Sequence, residues 1–277
     1  MSGAERIDGL AIERYQALPG ERSSGLRDVL VSPLLYRYRR ESEQEDRDVL
    51  RLGRATHTAI LEPHRFRAEY VVWTGGRRAG NEWKAFQVEH QQTTILTEDQ
   101  HATSLAIAKA VRSDPIAAAL LEGEGRAEVT ITWRHERTGL ALKARPDWLG
   151  AALVELKTCR DPAPARFASQ VAGLGYHVQV AHYAAALAAL GLERRPVKIV
   201  AAQNVPPYDV AVYDVPEDVI QVGERRAEEA LDRILECTRS GWWPGVGGDA
   251  ELTLHLPRWA LPDFDSDDGW SVAIAKE

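Results

Sequence analysis

Lysine is rare in this chain of 277 residues, occurring only at positions 84, 109, 143, 157, 198 and 276 among a total of 34 Lys+Arg. Cysteine is rarer still, with Cys159 and Cys237 the whole complement. Two cysteines cannot build a stapled framework, and without C-x-x-C spacing they do not form a structural zinc site. Both read as reduced, structural thiols. No apolar run approaches the ~18–20 residues that cross a bilayer. The opening MSGAERIDGLAIERYQ is too charged for a signal peptide, so the expected setting is the cytoplasm, away from membranes. A phosphate-cradling G-x4-G-K-[ST] loop is missing, and so is a G-x-S-x-G elbow. These absences argue against a motor ATPase and a serine hydrolase.

Acidic charge is plentiful, and the formal net charge is −7. Its distribution matters more than its total. Residues 246–277 carry Asp249, Glu251, Asp263, Asp265, Asp267, Asp268 and Glu277 against Arg258 and Lys276. The rest of the chain is therefore close to neutral. A negative total is a weak argument against nucleic acid, because a local basic groove can coexist with it and a metal site needs acids.

Residues 1–22 show little commitment to regular structure and read as an N-terminal extension. A helix is expected from Ser24, as its cap, to about Arg40, interrupted at Pro33. Further helices are expected over 48–62, 81–92 and 97–121, the last broken near Asp114-Pro115, with a short strand at 70–73. The middle of the chain then changes character. Glu128 to Trp133 alternates polar and apolar residues. His135 to Gly139 is a turn, Leu140 to Leu149 a second strand, and Leu153 to Thr158 a third. This predicts an antiparallel meander of three strands. Helices at about 164–172 and 176–191, strands near 197–204 and 208–213, and a long helix over 216–239 complete a mixed α/β domain spanning 23–245. An acidic tail, 246–277, follows it.

Side chains in a strand alternate between faces with period two. Glu128, Thr130 and Thr132 thus share one face, as do Lys143, Arg145 and Asp147, and as do Leu153, Glu155 and Lys157. Neighbouring strands can gather Glu128, Asp147, Glu155 and Lys157 on one patch. A solvated polar sheet face is the bland alternative. Two details favour chemistry. Pro146 lies inside a strand, where its missing N–H signals an edge or a bulge. The third strand is apolar on both sides, as in a buried central strand, and charges there need partners.

Pro146-Asp147, seven residues, then Glu155-Leu156-Lys157 resembles the P-D-x7-E-x-K signature of the PD-(D/E)xK nuclease superfamily. Other segments are similar to its RecE/RecB-like branch, the phage-type recombination exonucleases. They are Ser24-Gly-Leu26 with Ser32-Pro33 and Tyr36, Gly53-x3-His57 leading to Leu61-Glu-Pro63, Gln179-x3-Tyr183, and Trp243-Pro244-Gly245. The similarity runs in order over roughly residues 23–245.

The resemblance implies a restriction-endonuclease-like core, a central mixed sheet flanked by helices. It implies a catalytic set of Asp147, Glu155 and Lys157. Asp147, Glu155, the backbone carbonyl of Leu156 and His57 would ligate Mg²⁺ or Mn²⁺, with Glu128 the candidate for a second ion. Lys157 would orient or help deprotonate the attacking water. Gln179, Tyr183, Tyr176 and Arg145 would support the site or contact DNA, and His182 lies nearby on the same helix. Arg37 and Arg39, with Arg27 and Arg40, are candidates for phosphate contacts, against the alternative of a solvated face paired with Glu41, Glu43 and Glu45. The implied activity is hydrolysis of linear duplex DNA from its ends, by a homo-oligomeric ring working with a single-strand annealing protein. Rival readings are an endonuclease, a RecB-type module of a repair or defence complex, and a non-catalytic DNA-binding protein on the same fold.

Overall fold

The computed structural model describes residues 3–42 and 48–256. Strand β1 (Glu5–Ile7) and helix α1 (Ile12–Ala17) open the chain, followed by α2 (Ser23–Val31), α3 (Pro33–Glu41), α4 (Asp48–Leu61) and α5 (Pro63–Glu69). Next come β2 (Tyr70–Trp73), α6 (Gly80–Glu89), β3 (Thr94–Thr97), α7 (Glu98–Ser113) and α8 (Pro115–Glu122). The central strands are β4 (Arg126–Ala127), β5 (Thr130–Arg134), β6 (Ala141–Ala144), β7 (Trp148–Leu149) and β8 (Leu153–Cys159). Helices α9 (Pro164–Leu174) and α10 (Tyr176–Ala189), strands β9 (Val197–Gln203) and β10 (Val210–Asp214), and helix α11 (Glu217–Ser240) close the fold.

The expected meander is corrected in one respect. Its first two strands do not stay in a single sheet with the third. Each is broken in the middle, so β4 and β7 join the five-stranded sheet β10-β9-β8-β7-β4, while β5 and β6 pair in the three-stranded sheet β1-β5-β6. The cause is local. Pro146 cannot donate to a ladder, and on the facing strand Glu128, level with Asp147, adopts φ 54, a left-handed conformation uncommon outside glycine. Arg126 pairs with Leu149 before the break, and Ile131 pairs with Ala144 beyond it in the same register. The Glu128 amide donates to the Asp147 carbonyl at 3.0 Å across the break. The hairpin therefore bends from one sheet into the other without slipping.

β8 is the central strand that its two-sided apolar pattern suggests. It runs parallel to β9 and antiparallel to β7. Leu153 enters one core cluster with Ile199, Val180 and Ile234. Val154 and Leu156 enter the other with Val200, Ala55 and Ile107. α10 and α11 thus cover one face, and α4 and α7 the opposite one. Both faces of β8 are therefore buried, as its two-sided apolar run requires.

The segment 1–22, expected to lack regular structure, carries β1 and α1, with β1 on the edge of the three-stranded sheet beside β5. α5 and β3 were not expected either; β3 pairs in parallel with β2. The interruptions at Pro33 and Pro115 are real boundaries: Ser32 caps α3 by accepting from the Leu35 amide, and Asp114 caps α8 by accepting from Ile116 and Ala117. The distant Ser32-Pro33 and Trp243-Pro244 segments meet. Trp243 stacks on Tyr36 at 5.5 Å, and the Leu34 amide donates to the Pro244 carbonyl at 2.9 Å. Of the acidic tail, residues 257–277 lie outside the described residues.

α10 and α11 approach closely at Gly223, where a Cβ would fall 2.2 Å from the His177 carbonyl oxygen and 2.7 Å from the Ala181 Cβ. Backbone cannot move aside as a side chain can. Gly223→Ala is expected to lower unfolding free energy by about 1–3 kcal/mol, the usual cost of overpacking, read from urea denaturation midpoints. An unchanged midpoint would show that the helices separate freely.

Candidate active site

The bend sets Glu128 and Asp147 at the seam between the two sheets, β8 delivers Glu155 and Lys157, and α4 and α10 add one helix face each. Asp147 Oδ2 accepts the Leu156 amide at 2.7 Å, so the carboxylate is fastened to the middle of β8. Its other oxygen lies 3.3 Å from His57 Nδ1. Lys157 Nζ donates to Glu155 Oε1 at 2.5 Å and to Gln179 Oε1 at 3.0 Å. The Gln179 amide nitrogen donates to the same Glu155 oxygen at 2.7 Å and to the Tyr183 hydroxyl at 2.9 Å. The Lys157 ammonium also sits 4.5 Å over the Tyr176 ring, a favourable cation–π placement. His182 faces away from this set: its Nε2 donates to the Lys143 carbonyl at 3.0 Å.

Three acids this close in a dry setting perturb one another. Burial, reinforced by the charge of Asp147, pushes the Glu155 carboxyl up to about 7. Burial and Asp147 likewise raise Glu128. Burial would raise Asp147 too, but His57, Lys157 and the Leu156 amide outweigh it and hold Asp147 below the usual carboxylate range. His57 is raised because Asp147 overcomes the penalty of burying its cation.

The arrangement fits a divalent cation. Glu155 Oε2 is buried and has no hydrogen-bond partner among the described residues, a cost that a ligand would remove. One ligand atom each from His57, Glu128 and Asp147 lies within 4.8 Å of the others. The donors are mostly carboxylate oxygens, which suit hard cations. An apolar cavity of about 550 Å³ beside Phe167, Tyr213 and Val222 holds none of these groups. The polar cluster, not that cavity, is the candidate site.

A second layer comes from the chain's first residues. Arg145 pairs with Glu128 at 2.5 Å, donates to Thr130 Oγ1 at 3.2 Å and to the Leu10 carbonyl at 2.8 Å. Lys143 is buried and donates to the carbonyls of Tyr15, Gln16 and Leu18. Both cations lie over the Tyr15 ring, at 5.1 Å for Lys143 and 5.5 Å for Arg145. Sequence reasoning missed Tyr15 and this strap, since a backbone carbonyl carries no residue identity.

The polar face expected on the hairpin is thus buried, not solvated: Thr130, Lys143, Arg145 and Asp147 are all less than a tenth exposed. Glu128, His57 and Asp147 come together, while Glu155 faces Lys157 and Gln179. The Leu156 amide donates to Asp147. The basic residues of the first helical segment lie elsewhere, and acids or carbonyls engage them. Arg37 pairs with Glu41, Arg39 with Asp28, and Arg40 with Glu21, while Arg27 donates to the Leu174 carbonyl. Glu43 and Glu45 lie outside the described residues.

A bent hairpin presenting Asp147, followed by a central strand presenting Glu155 and Lys157 between helical layers, defines the PD-(D/E)xK nuclease class. The sequence profile described as "PDDEXK-like domain of unknown function (DUF3799)" matches residues 24–255, and the chain belongs to that family. The fold is similar to that of a Eubacterium rectale protein provisionally described as an exonuclease. That superposition has a TM-score of 0.64 at 16% identity and covers 90% of this chain and 96% of the other. A phage-related exonuclease from Haemophilus somnus 129PT aligns over 84% of this chain and 100% of its own length at 11% identity. Its TM-score of 0.32 is too low to bear on the fold. No curated protein matches the chain.

A carboxyl raised to about 7 from an ordinary 4.5 favours the fold while protonated. That contribution is lost as pH rises through about 7. A cation can then take the proton's place. Mn²⁺ is expected to raise the melting temperature more at pH 8 than at pH 6, and Glu155→Gln should shrink the difference. Equal shifts at both pH values in the parent would contradict the site.

Proposed function

We propose that this chain is a divalent-metal-dependent deoxyribonuclease that degrades linear duplex DNA from its ends. The observation that carries the reading is the connected set Asp147–Leu156 amide and Glu155–Lys157–Gln179, whose Glu155 Oε2 has no partner among the described residues. Asp147, Glu155 and His57 would hold the cation, with Glu128 available to the same ion or to a second one. When bound, the ion supplies charge neutralisation at the phosphate and an acidified water.

The protein's own groups do the rest. Gln179 and Tyr183 fix the Lys157 ammonium, which donates to the attacking water or to a phosphate oxygen. Arg145 holds Glu128 in its strained backbone position. The buried surroundings strengthen every one of these charges. An end-directed mode agrees with the description attached to the Eubacterium rectale fold relative. The likeness to RecE-type segments extends the reading to attack at 5′ ends, a ring of identical subunits and an annealing partner in recombination. Phosphate contact by Arg37 or Arg39 would require DNA to displace Glu41 or Asp28.

Lys157→Ala is expected to slow release of nucleotides from end-labelled linear duplex by roughly 10²–10⁴-fold, the range for a positioned proton-transfer group, and Asp147→Ala, which removes a cation ligand, to slow it at least as much. EDTA should abolish the activity, and closed circular duplex should survive. Parental rates in both variants would overturn the site, and equally fast cutting of circles would replace the end-directed reading with an endonuclease.

A further inference from the structure

Away from the acidic cluster, a polar groove of about 340 Å³ runs between α6, β3 and the first turn of α4. Its lining includes Arg51, Arg78, Trp83, Gln87, His90 and Gln91, and among the described residues no carboxylate. In a chain of net charge −7, two arginines with no acid among the described lining residues favour an anion. The nearest acid on α4, Asp48, pairs with Arg51 at 2.9 Å from a side chain 75% exposed. Glu82 and Glu89 of α6 do not line the groove.

The groove also has a flat wall. The Arg78 guanidinium lies 5.4 Å over the Trp83 ring, and one of its nitrogens donates to the Ile95 carbonyl at 3.2 Å. Arg78 Nε is buried and has no acceptor among the described residues. Trp83 is braced edge-on by Trp73 at 5.3 Å, and Phe86 packs on Trp73 and His90. α6 buries none of its residues, so these half-buried rings keep surface open to solvent. A guanidinium held over an indole is a plane on which a nucleobase stacks, and Gln87, His90 and Gln91 can meet base edges.

α4 connects this groove to the candidate active site. Arg51, Arg54 and His57 fall at i, i+3 and i+6, neighbouring steps on one helix. Six residues rise about 9 Å, a short span for a DNA strand.

We propose that the α6–β3 groove is a binding site for single-stranded DNA, with a base stacked on the Arg78–Trp83 pair and the phosphates facing Arg51 and Arg78. The proposal rests on the nuclease reading and deepens it, naming where an unpaired strand lies next to the site. Single strands are held by base stacking beside cationic tracks, and each stacked base contributes about 1–3 kcal/mol.

The test is binding, not cleavage. Full-length protein carrying Asp147→Asn is titrated in EDTA against a fluorescein-labelled oligothymidylate of about 12 nucleotides, within the usual span of single-strand sites. An abasic strand of the same length serves as the second probe, and anisotropy is the readout. The parent is expected to bind the oligothymidylate more tightly than the abasic strand. Trp83→Leu should weaken oligothymidylate binding about tenfold, corresponding to about 1.4 kcal/mol, and leave abasic binding unchanged.

Equal loss on both probes, or no loss on either, overturns the stacking site. If Trp83→Leu lowers the melting temperature, the exposed double variant Gln87→Glu/Gln91→Glu substitutes. Its added negative charge should weaken both probes, and unchanged binding overturns the proposal. The two readings fail separately. Parental protein that cleaves no DNA yet prefers bases over abasic sugars supports the groove alone, and an active nuclease without that preference removes only the groove.

Discussion

Glu128, Asp147 and Glu155 are gathered where water is scarce, and their mutual repulsion is the constraint around which the surrounding structure is organised. Burial alone would raise the pKa of all three. Each is met by a different device. Asp147 is held ionised by His57 and the Leu156 amide. Glu128 is met by Arg145. Glu155 is met by Lys157 and the Gln179 amide on one oxygen only, and its carboxyl remains raised. The compensation is incomplete at one atom, Glu155 Oε2, and that atom marks the place for a cation.

The constraint spreads outward. Bringing Glu128 and Asp147 to β8 requires the hairpin to turn from one sheet into the other, hence Pro146 on one strand and a left-handed Glu128 on the other. Strain of this kind persists when its neighbours over-determine it. Here the Asp147 carbonyl holds the Glu128 amide, and Arg145 holds its side chain. Arg145 is held in turn by the Leu10 carbonyl, and Lys143 beside it by three further carbonyls of the same strap. The strap precedes the first residue of the family match. Residues 10–18 therefore contribute to the site through its cations, although none of them lies in the motif string.

Much of this was legible from residue order. The two-sided apolar run around Glu155 marked a central strand, and period-two alternation put Glu128, Asp147 and Glu155 within reach of one another. Pro146 marked an interruption. Its consequence was not legible, because a bend that keeps its register leaves the alternation pattern intact and depends on one backbone angle at Glu128. β3 was missed because Thr94–Thr97 is four residues with no alternation, stabilised by pairing with β2. For Arg37 and Arg39 the string left phosphate contact and pairing with nearby acids both open; Arg37 pairs with Glu41, an acid the string offered, whereas Asp28 beside Arg39 appears only once the helices are built.

The account's central claim is that these carboxylates form one divalent-cation site. Crystals soaked in Mn²⁺ and measured at the manganese absorption edge test it most directly. The account predicts an anomalous peak bounded by the Asp147 and Glu155 carboxylates, with His57 or Glu128 beside it. Peaks confined to surface acids, with Glu155 Oε2 still unliganded, would contradict it.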